Sequence, residues 1–481
     1  TTAIGKFHGF ELLVEKNFTF KADVASSEGA NNVELVRLYN AICPYKTPPQ
    51  KADSSIRQGI DGFPIIIFHD DGTNLSFVGK YNFNNDKGTP EVYGFAVGDE
   101  SWEIRNNTSD RVLWKNADFS GTDWQNDFEA RYPEDNTDVQ NLAAFAAWLV
   151  STDQTAATNA ALETPVTYDE VSYTTDSAAY RLAKFKAELA NYVEIDSTVF
   201  YYLFTELFLM VDSRAKNAFP SKFGTGKICW LPYDFDTAIG INNEGALTFS
   251  YHLEDIDQIG SGADVFNGQK SVLWVNLRQA FFPQIRAMYQ KLRSDGVLSY
   301  DVVEKAYEEH QSKWPEAIWN EDAYYKYLQP LIDDGTGAYL SMLQGSKEEQ
   351  RKWWLYNRFR YIDAKYNAGD SLSDIVTLRG YAKADITVEP YADIYASVKY
   401  GSYLQQVRAL RGGSYTLTCP LTNVNDTEIY IYSASQIKSI GDLSGLKVGY
   451  AEFSHATRLQ SLKLGDGAEG YSNGNLTELH L

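Results

Sequence analysis

The sequence predicts an α+β protein of more than one domain, and three observations lead to that prediction. Segments of alternating apolar and polar residues, typical of β-strands, occur in the first 120 residues and return after residue 370. The segments between them carry apolar residues at helical spacing. The length of 481 residues exceeds what one hydrophobic core ordinarily holds.

Composition narrows the classes of partner. Nucleic acids and anionic membranes would repel a net charge of −21, so we expect neither as a partner. The most apolar run, from Val199 to Val211, has 13 residues and is too short to span a membrane, so we expect no membrane insertion. The three cysteines are odd in number and widely spaced, which predicts buried free thiols and neither disulfides nor a zinc site.

The first 120 residues are predicted to form a small sheet with one helix. Apolar and alternating segments predict the strands, and Asp70-Asp71-Gly72-Thr73 predicts a hairpin turn between two of them. In chain order we expect strands at 10–17 and 18–24, a helix at 32–42, and strands at 63–69, 75–83, 93–104 and 110–114.

The middle of the chain is predicted to be helical, after a polar surface loop at residues 121–137. Asp176 and Asp196 are the predicted N-caps of two helices, and Ser346-x-x-Glu349 predicts a capping box at the start of the last one. One predicted helix follows Asp176 and carries Leu182, Phe185, Leu189 and Val193 on one face. The other predicted helical segments are 138–150, 197–210, 271–294, 301–310 and 346–367.

The chain beyond residue 370 is predicted to be rich in β-strands. Period-two alternation from Ile375 to Tyr432 predicts a small antiparallel domain. Leu459-x-x-Leu462-x-Leu464 recurs 17 residues later at Leu476, which predicts the start of a leucine-rich-type repeat. Two repeats do not make a stable solenoid, and the chain shows no initial Met or signal peptide, so we expect a piece of a longer polypeptide. The predicted domains are 1–120, 121–369, 370–440 and 441–481.

A constellation of acids follows the apolar helix at 197–210. Asp212 and Asn217 lie five residues apart, and Asp234 and Asp236 end an apolar segment 22 residues after Asp212. Phosphoryl transfer requires one carboxylate to orient the attacking hydroxyl, and an amide oxygen with another carboxylate to hold Mg²⁺ on the phosphates. Protein kinases show the same spacing of these groups.

Each part of this constellation also has a plainer interpretation. Asp212 and Asn217 could stabilise a turn at the end of the helix. On a strand, Asp234 and Asp236 would share one face with Phe235 on the other, and their repulsion calls for a divalent cation. The alternative is two solvated acids on an edge strand.

Lys21 and Glu34 complete the candidate set. A kinase needs one strand lysine to hold the α- and β-phosphates and a glutamate on the next helix to orient it. Lys21 lies on a predicted strand, and Glu34 lies on the helix that follows, 13 residues on. The alternative is a surface lysine with a solvated glutamate.

These motifs resemble the CotH family of atypical, spore-coat-type protein kinases over residues 10–367. The matching features follow the order of that family along the chain. They are the strand with Lys21, Gly79-Lys80-Tyr81, the apolar helix leading to Asp212-x-x-x-x-Asn217, the segment from Trp230 to Asp236, and the helix with Arg358-Phe359-Arg360-Tyr361-Ile362-Asp363.

The resemblance implies a two-lobed kinase-like fold and ATP- and Mg²⁺-dependent phosphoryl transfer to protein hydroxyls. By the same resemblance, each candidate residue takes a role. Asp212 would be the catalytic base. Asn217 and Asp234 would be metal ligands, and Asp236 would join or replace Asp234. Lys21 would be the phosphate-binding lysine and Glu34 would be its partner.

Departures from the kinase pattern keep a second hypothesis open. Met210-Val211 precedes Asp212 where kinases have His-Arg, no glycine follows Asp234-Phe235-Asp236, and no glycine-rich loop is present. The general pattern, including the leucine repeats, is also similar to CotH-like proteins of tailed phages and prophages of gut bacteria. We therefore expect protein partners in a larger virion or surface assembly, and the alternative function is that of a catalytically inactive structural or adhesive virion component.

Overall fold

The chain folds into two compact units, Thr1–Gly245 with Tyr251–Lys326, and Ala246–Ser250 with Tyr327–Leu481. Both helices and strands are abundant, so the fold class is α+β. The computed structural model describes residues 6–7, 10–11, 17–23, 29–105, 119, 121–210, 212–214, 216–242, 247, 249, 251, 271–313, 347–366, 368, 375–380, 386–391, 394–400, 403–410, 415–417, 427–432, 434–464 and 478–481.

The described strands of the first unit form two antiparallel sheets and two separate hairpins. One sheet has the order β3-β5-β4 and the other β11-β10-β6-β7, while β1 pairs with β2 and β8 with β9. In the first sheet Lys21 lies directly opposite Asn82. The strands are β1 Lys6–Phe7, β2 Phe10–Glu11, β3 Phe18–Lys21, β4 Gly62–Asp70, β5 Leu75–Asn85, β6 Glu100–Ile104, β7 Phe128–Tyr132, β8 Ala161–Tyr168, β9 Val171–Thr175, β10 Ala218–Lys222 and β11 Ile228–Pro232.

The helices of this unit pack on the sheets and on one another. The first begins with a π-helical turn, Asn31–Leu35, that continues directly into α1. The helices are α1 Val36–Ile42, α2 Pro48–Ala52, α3 Pro90–Tyr93, α4 Gln140–Val150, α5 Ala178–Glu188, α6 Ile195–Leu207, α7 Val272–Ala280, α8 Phe282–Ser294 and α9 Tyr300–Gln311. Among the described residues, no helix is both long and apolar enough to cross a membrane.

Helix α6 is the central element of the core. Every residue from Ser197 to Leu207 is buried, as the nearly uniform apolar sequence predicts. The Tyr39 ring of α1 packs edge-on against Phe200 and Phe204, at centroid distances of 4.9 and 5.2 Å. The Tyr39 hydroxyl also donates to the carbonyl oxygen of Trp230 at 3.1 Å. Helices α1 and α6 and strand β11 therefore share one rigid core.

Several predicted elements differ from the observed ones. The strand predicted at 93–104 is confined to Glu100–Ile104, because Tyr93 ends α3. The N-cap of α6 is Glu194, and the predicted cap Asp196 lies in the first turn of that helix. The predicted loop 121–137 contains β7, because pairing with β6 imposes an extended conformation on this polar segment. The predicted helix 271–294 is two helices, and Pro283 lies in the first turn of α8, where its missing N–H is tolerated. The N-cap of α5 is Ser177, whose side chain accepts from the backbone N–H of Tyr180, and not the predicted Asp176. The strand predicted at 110–114 and the cap at Ser346 lie outside the described residues.

Among its described residues, the second unit combines the α-helix α10, Lys347–Tyr366, with two sheets. The sheets have the orders β15-β14-β17-β12-β19-β21 and β16-β13-β18-β20. Apolar residues from both sheets belong to one buried cluster, so the sheets face each other across it. The strands are β12 Ile375–Gly380, β13 Ile386–Pro390, β14 Ile394–Tyr400, β15 Tyr403–Leu410, β16 Tyr415–Leu417, β17 Thr427–Tyr432, β18 Ile437–Asp442, β19 Val448–Glu452, β20 Ser461–Lys463 and β21 Glu478–His480.

The two leucine-pattern segments extend different sheets. Leu462 lies in β20, which pairs in parallel with β18, whereas Leu479 lies in β21, which pairs in parallel with β19. Strand β19 is also paired with β12, so the described strands of the predicted domains 370–440 and 441–481 share their sheets and their core.

Candidate functional site

The segment that follows α6 is bound back onto that helix. The Tyr201 hydroxyl donates to the carbonyl oxygen of Ser213. Arg214 donates from Nε to the Thr205 hydroxyl at 2.8 Å and pairs with Glu206 at 3.0 Å. Because both ends of these bonds are buried, the position of the chain immediately after Asp212 is determined by the helix.

Asp212 lies in this segment with only 3% of its surface exposed, and polar groups bind both of its carboxylate oxygens. Thr237 donates its hydroxyl to Oδ1 at 2.9 Å. Asn217 Nδ2 and Lys216 Nζ approach Oδ2 at 3.2 and 3.1 Å. Burial raises the pKa of Asp212, and the attraction of Lys216 opposes that shift. Asp212 and Asn217 therefore lie together, as their spacing predicts.

Asp234 and Asp236 do not lie on a strand, which corrects the interpretation of this segment. Strand β11 ends at Pro232, and Asp234 adopts a left-handed backbone conformation with φ of 54°. Phe235 is nevertheless fully buried, and its ring packs against Phe204 at a centroid distance of 5.8 Å. The two acids thus lie on the outer side of the core, as the sequence predicts. A turn places them there, and not the predicted alternation along a strand. We call residues 234–237 the acidic loop.

Lys21 forms an ion pair with Asp234 at 2.6 Å, across 213 residues of sequence. Burial alone would lower the pKa of Lys21, but the attraction of Asp234, Tyr233 and Asp23 outweighs it, and the pKa rises above its usual range. The structure thus brings the lysine of the first sheet to the first acid of the acidic loop.

Glu34 does not pair with Lys21, which corrects the predicted lysine–glutamate pair. It accepts from Arg37 at 3.1 Å, and its carboxylate lies 3.0 Å from Nδ1 of His310 in α9. Glu34 and Asn32 lie in the same π-helical turn. The side chain that this turn directs to Asp234 is that of Asn32, whose Nδ2 lies 3.1 Å from Oδ1 of Asp234.

The site includes several polar residues that the sequence pattern does not predict. Asp23 is buried, has a φ of 46°, and accepts hydrogen bonds from the side chains of Asn32 and Asn82. The sequence pattern also does not predict Thr237 and Lys216, which hold Asp212. Lys216 could have been noticed because it adjoins Asn217, but long-range contacts such as that of Asn82 have no local sequence signal.

The donor chemistry of the site fits a hard divalent cation. Burial, followed by repulsion from Asp234 and Asp212, raises the pKa of Asp236 to about 8. Among the described residues, the Asp236 carboxylate and the Asn217 side-chain oxygen have no hydrogen-bond or ion-pair partner. Mg²⁺ prefers such oxygen ligands. Yet no three His, Cys, Asp or Glu side chains within the described ranges converge as a ready metal site, so cation binding requires the carboxylates to shift.

Comparison with known proteins identifies the region that contains these acids. Residues 118–354 match the family model described as CotH kinase protein. The match includes Asp212, Asn217, Asp234 and Asp236, whereas Lys21 and the rest of the first sheet precede it. No curated protein matches the chain significantly. The similarity to the CotH kinase family therefore covers residues 118–354 of the chain.

Proposed function

We propose that this protein transfers a phosphoryl group from ATP to a hydroxyl group of a protein, with Mg²⁺ bound at the acidic loop. One observation carries the proposal: the acidic loop joins the two halves of the candidate site. Asp234 binds Lys21 at its first position, and Thr237 binds Asp212 at its last. The candidates for the phosphate-binding lysine, the metal-binding acid and the catalytic base, which are Lys21, Asp234 and Asp212, therefore contact one short loop.

Each residue has a role that follows from its surroundings. Asp212 orients the acceptor hydroxyl and takes its proton, and a pKa raised by burial strengthens it as a base. Lys216 lies beside Asp212 and stabilises negative charge that develops there. Lys21 holds phosphate oxygens once the nucleotide competes for its ammonium group.

Asn217, Asp234 and Asp236 are the residues that would hold the metal ion. When bound, Mg²⁺ neutralises charge on the transferred phosphoryl group. Asn217 is already oriented for this task, because its side-chain N–H₂ donates to Asp212 and leaves the amide oxygen available.

A second candidate function is a catalytically inactive scaffold within a larger assembly, such as a virion or surface structure, with protein partners. The observation that favours it is that the side chains of Asp212 and Asp234 already bind protein cations and amides. Such a satisfied polar cluster can stabilise a fold without binding a nucleotide.

Nucleotide binding to the full chain separates the two candidates. We expect ATP with Mg²⁺ to bind at micromolar to millimolar concentrations, within about the usual KM range of 1 μM to 1 mM. The substitution Asp234→Asn should abolish this binding, measured by calorimetry. Asp295→Asn is the matched control, because it makes the same charge change at an exposed ion pair with Lys291. No ATP-induced thermal shift at millimolar concentration would support the scaffold.

A further inference from the structure

Two consecutive asparagines attach the start of the first helix to the acidic loop. Asn31 donates from Nδ2 to the carbonyl oxygen of Asp236 at 2.9 Å. It also accepts a hydrogen bond from the Tyr307 hydroxyl of α9 at 2.5 Å. Asn32 contacts the same loop through Asp234 and Phe235. The π-helical turn therefore holds the acidic loop through two adjacent side chains.

Asn32 contacts the loop in two ways with one amide group. Its Nδ2 donates to Oδ1 of Asp234 at 3.1 Å and to Oδ1 of Asp23 at 2.7 Å. Its Oδ1 accepts from the backbone N–H of Phe235 at 2.6 Å. The same side chain thus holds the carboxylate of Asp234 and the peptide bond that follows it.

This double attachment falls on a residue with an uncommon backbone conformation. Asp234 has a left-handed φ of 54°, a region that aspartate enters more readily than most residues, and the contacts of Asn32 support this conformation. Asn32 shares Oδ1 of Asp234 with Lys21, and Oδ2 has no partner among the described residues. The contacts therefore fix one oxygen and leave the other available.

We propose that Asn32 is the positioning residue for Asp234: it holds the carboxylate so that one oxygen binds Lys21 and the other is presented for a divalent cation. This inference rests on the proposed function. A neutral amide suits the position, because an acid there would place another negative charge between Asp23 and Asp234 and would have no N–H to donate.

The test uses the full chain with Asn32→Ala, Asn32→Asp and the control Asn40→Ala. Asn40 lies in the same helix, donates to the carbonyl oxygen of Val36 at 3.0 Å and accepts from the backbone N–H of Gln58 at 2.7 Å. Within the part of the chain that the structure describes, Asn40 makes no hydrogen bond to the acidic loop. Asn32→Ser is a milder replacement should the alanine variant unfold at the assay temperature.

Two measurements report on the role of Asn32. The first is the Mg²⁺ concentration that gives half-maximal ATP-dependent activity. We expect Asn32→Ala to raise it on the order of tenfold, as loss of a group that orients a metal ligand does, and to lower kcat less at saturating Mg²⁺. The second is acylation of Lys21 by N-hydroxysuccinimide acetate, quantified by peptide mass spectrometry. Release of Asp234 should make Lys21 react several times faster.

The outcomes are distinguishable. Faster Lys21 acylation in Asn32→Ala, with wild-type rates in Asn40→Ala, supports the proposal. Acylation in Asn32→Asp should not be faster than in the wild type, because the added carboxylate lies beside Lys21 and keeps it protonated. A wild-type acylation rate in Asn32→Ala, or an equal change in Asn40→Ala, overturns it. Absence of ATP-dependent activity in the wild-type protein would sink the proposed function, and the acylation rates would still decide whether Asn32 positions Asp234.

Discussion

Two ion pairs of the first unit, one that supports the candidate site and one that belongs to it, differ in their surroundings. Arg214 and Glu206 pair inside the core, with 2% and 1% of their side chains exposed. Lys21 and Asp234 pair at the acidic loop, where 21% and 26% remain exposed. The first pair also has hydrogen bonds to the Thr205 hydroxyl and the Tyr202 carbonyl, and the Arg214 guanidinium lies 4.4 Å from the Tyr202 ring centroid.

The comparison distinguishes an ion pair that stabilises the fold from an ion pair that can take part in ligand binding. A charge as buried as Arg214 is stable only while its partners stay in place, so this pair fixes the segment that carries Asp212. A partly exposed pair can exchange partners at little cost, because water replaces what is lost. Lys21 and Asp234 can therefore separate when a nucleotide and a cation bind, whereas Arg214 and Glu206 cannot.

The largest expected effect is on stability, at the core pair. Glu206→Gln leaves the Arg214 charge buried without its counter-ion and should lower the free energy of unfolding by about 3–5 kcal/mol. Urea denaturation followed by circular dichroism measures this loss. A change below about 1 kcal/mol would show that the pair behaves like a surface ion pair, contrary to the comparison.

The next effect is on activity, at the loop pair. Lys21→Met should lower kcat/KM for ATP on the order of 100-fold, about 2.7 kcal/mol, because phosphate oxygens lose their cation. The same urea titration should show a stability loss of about 1 kcal/mol or less, since the pair is partly solvated. A large stability loss with unchanged kcat/KM would reverse the roles of the two pairs.

A pH effect follows from the repulsion among the acids. The pKa of Asp236 in the folded state is about 8, which lies above the usual value of an aspartate. Between the usual pKa and about pH 8, the folded state therefore keeps a proton on Asp236 that the unfolded state has lost. In EDTA, the contribution of this group to stability should be fully present in acid and should decline as pH rises towards about 8. Melting temperatures from pH 5 to 9 test this, and Asp236→Asn should flatten the profile. Equal slopes in both proteins would exclude Asp236 as the source.

The smallest expected effect is at Glu34. Because Glu34 binds Arg37 and His310, Glu34→Gln should cost about 1 kcal/mol of stability through weakened hydrogen bonds. The KM for ATP should stay within about threefold of the wild-type value, since that factor corresponds to well under 1 kcal/mol. A loss of ATP affinity matching that of Lys21→Met would restore Glu34 as the partner of Lys21.

The sequence predicted the parts of the site that depend on local pattern. The apolar run of α6 predicts a buried helix, and that helix places Asp212 and Asn217 together immediately beyond it. The burial of Phe235 between two outward acids was also predicted, although the expected strand is a turn. The left-handed conformation of Asp234, just beyond the end of β11, buries Phe235 as a strand would. Alternation of polar and apolar residues in the sequence does not distinguish such a turn from a strand.

What could not be predicted depends on long-range geometry. The contact of Asn32 with Asp234 spans 202 residues, and that of His310 with Glu34 spans 276. Neither contact leaves a periodic pattern in the chain, because each depends on how whole elements pack. The choice between Asn32 and Glu34 as the group facing the acidic loop depends on the π-helical turn, which no helical spacing rule anticipates.

The left-handed backbone of Asp234 restricts which replacements a mutational library can recover. Asn217 and Asp23 have the same backbone geometry, with φ of 58° and 46°. Glycine, asparagine and aspartate tolerate this region, whereas longer or β-branched side chains pay a backbone penalty. In a screen for folded protein alone, Asp234→Gly should therefore be enriched over Asp234→Glu, although glutamate keeps the charge. At these three positions the backbone conformation therefore limits which amino acids fold, independently of the charge or the ligand-binding role of the side chain.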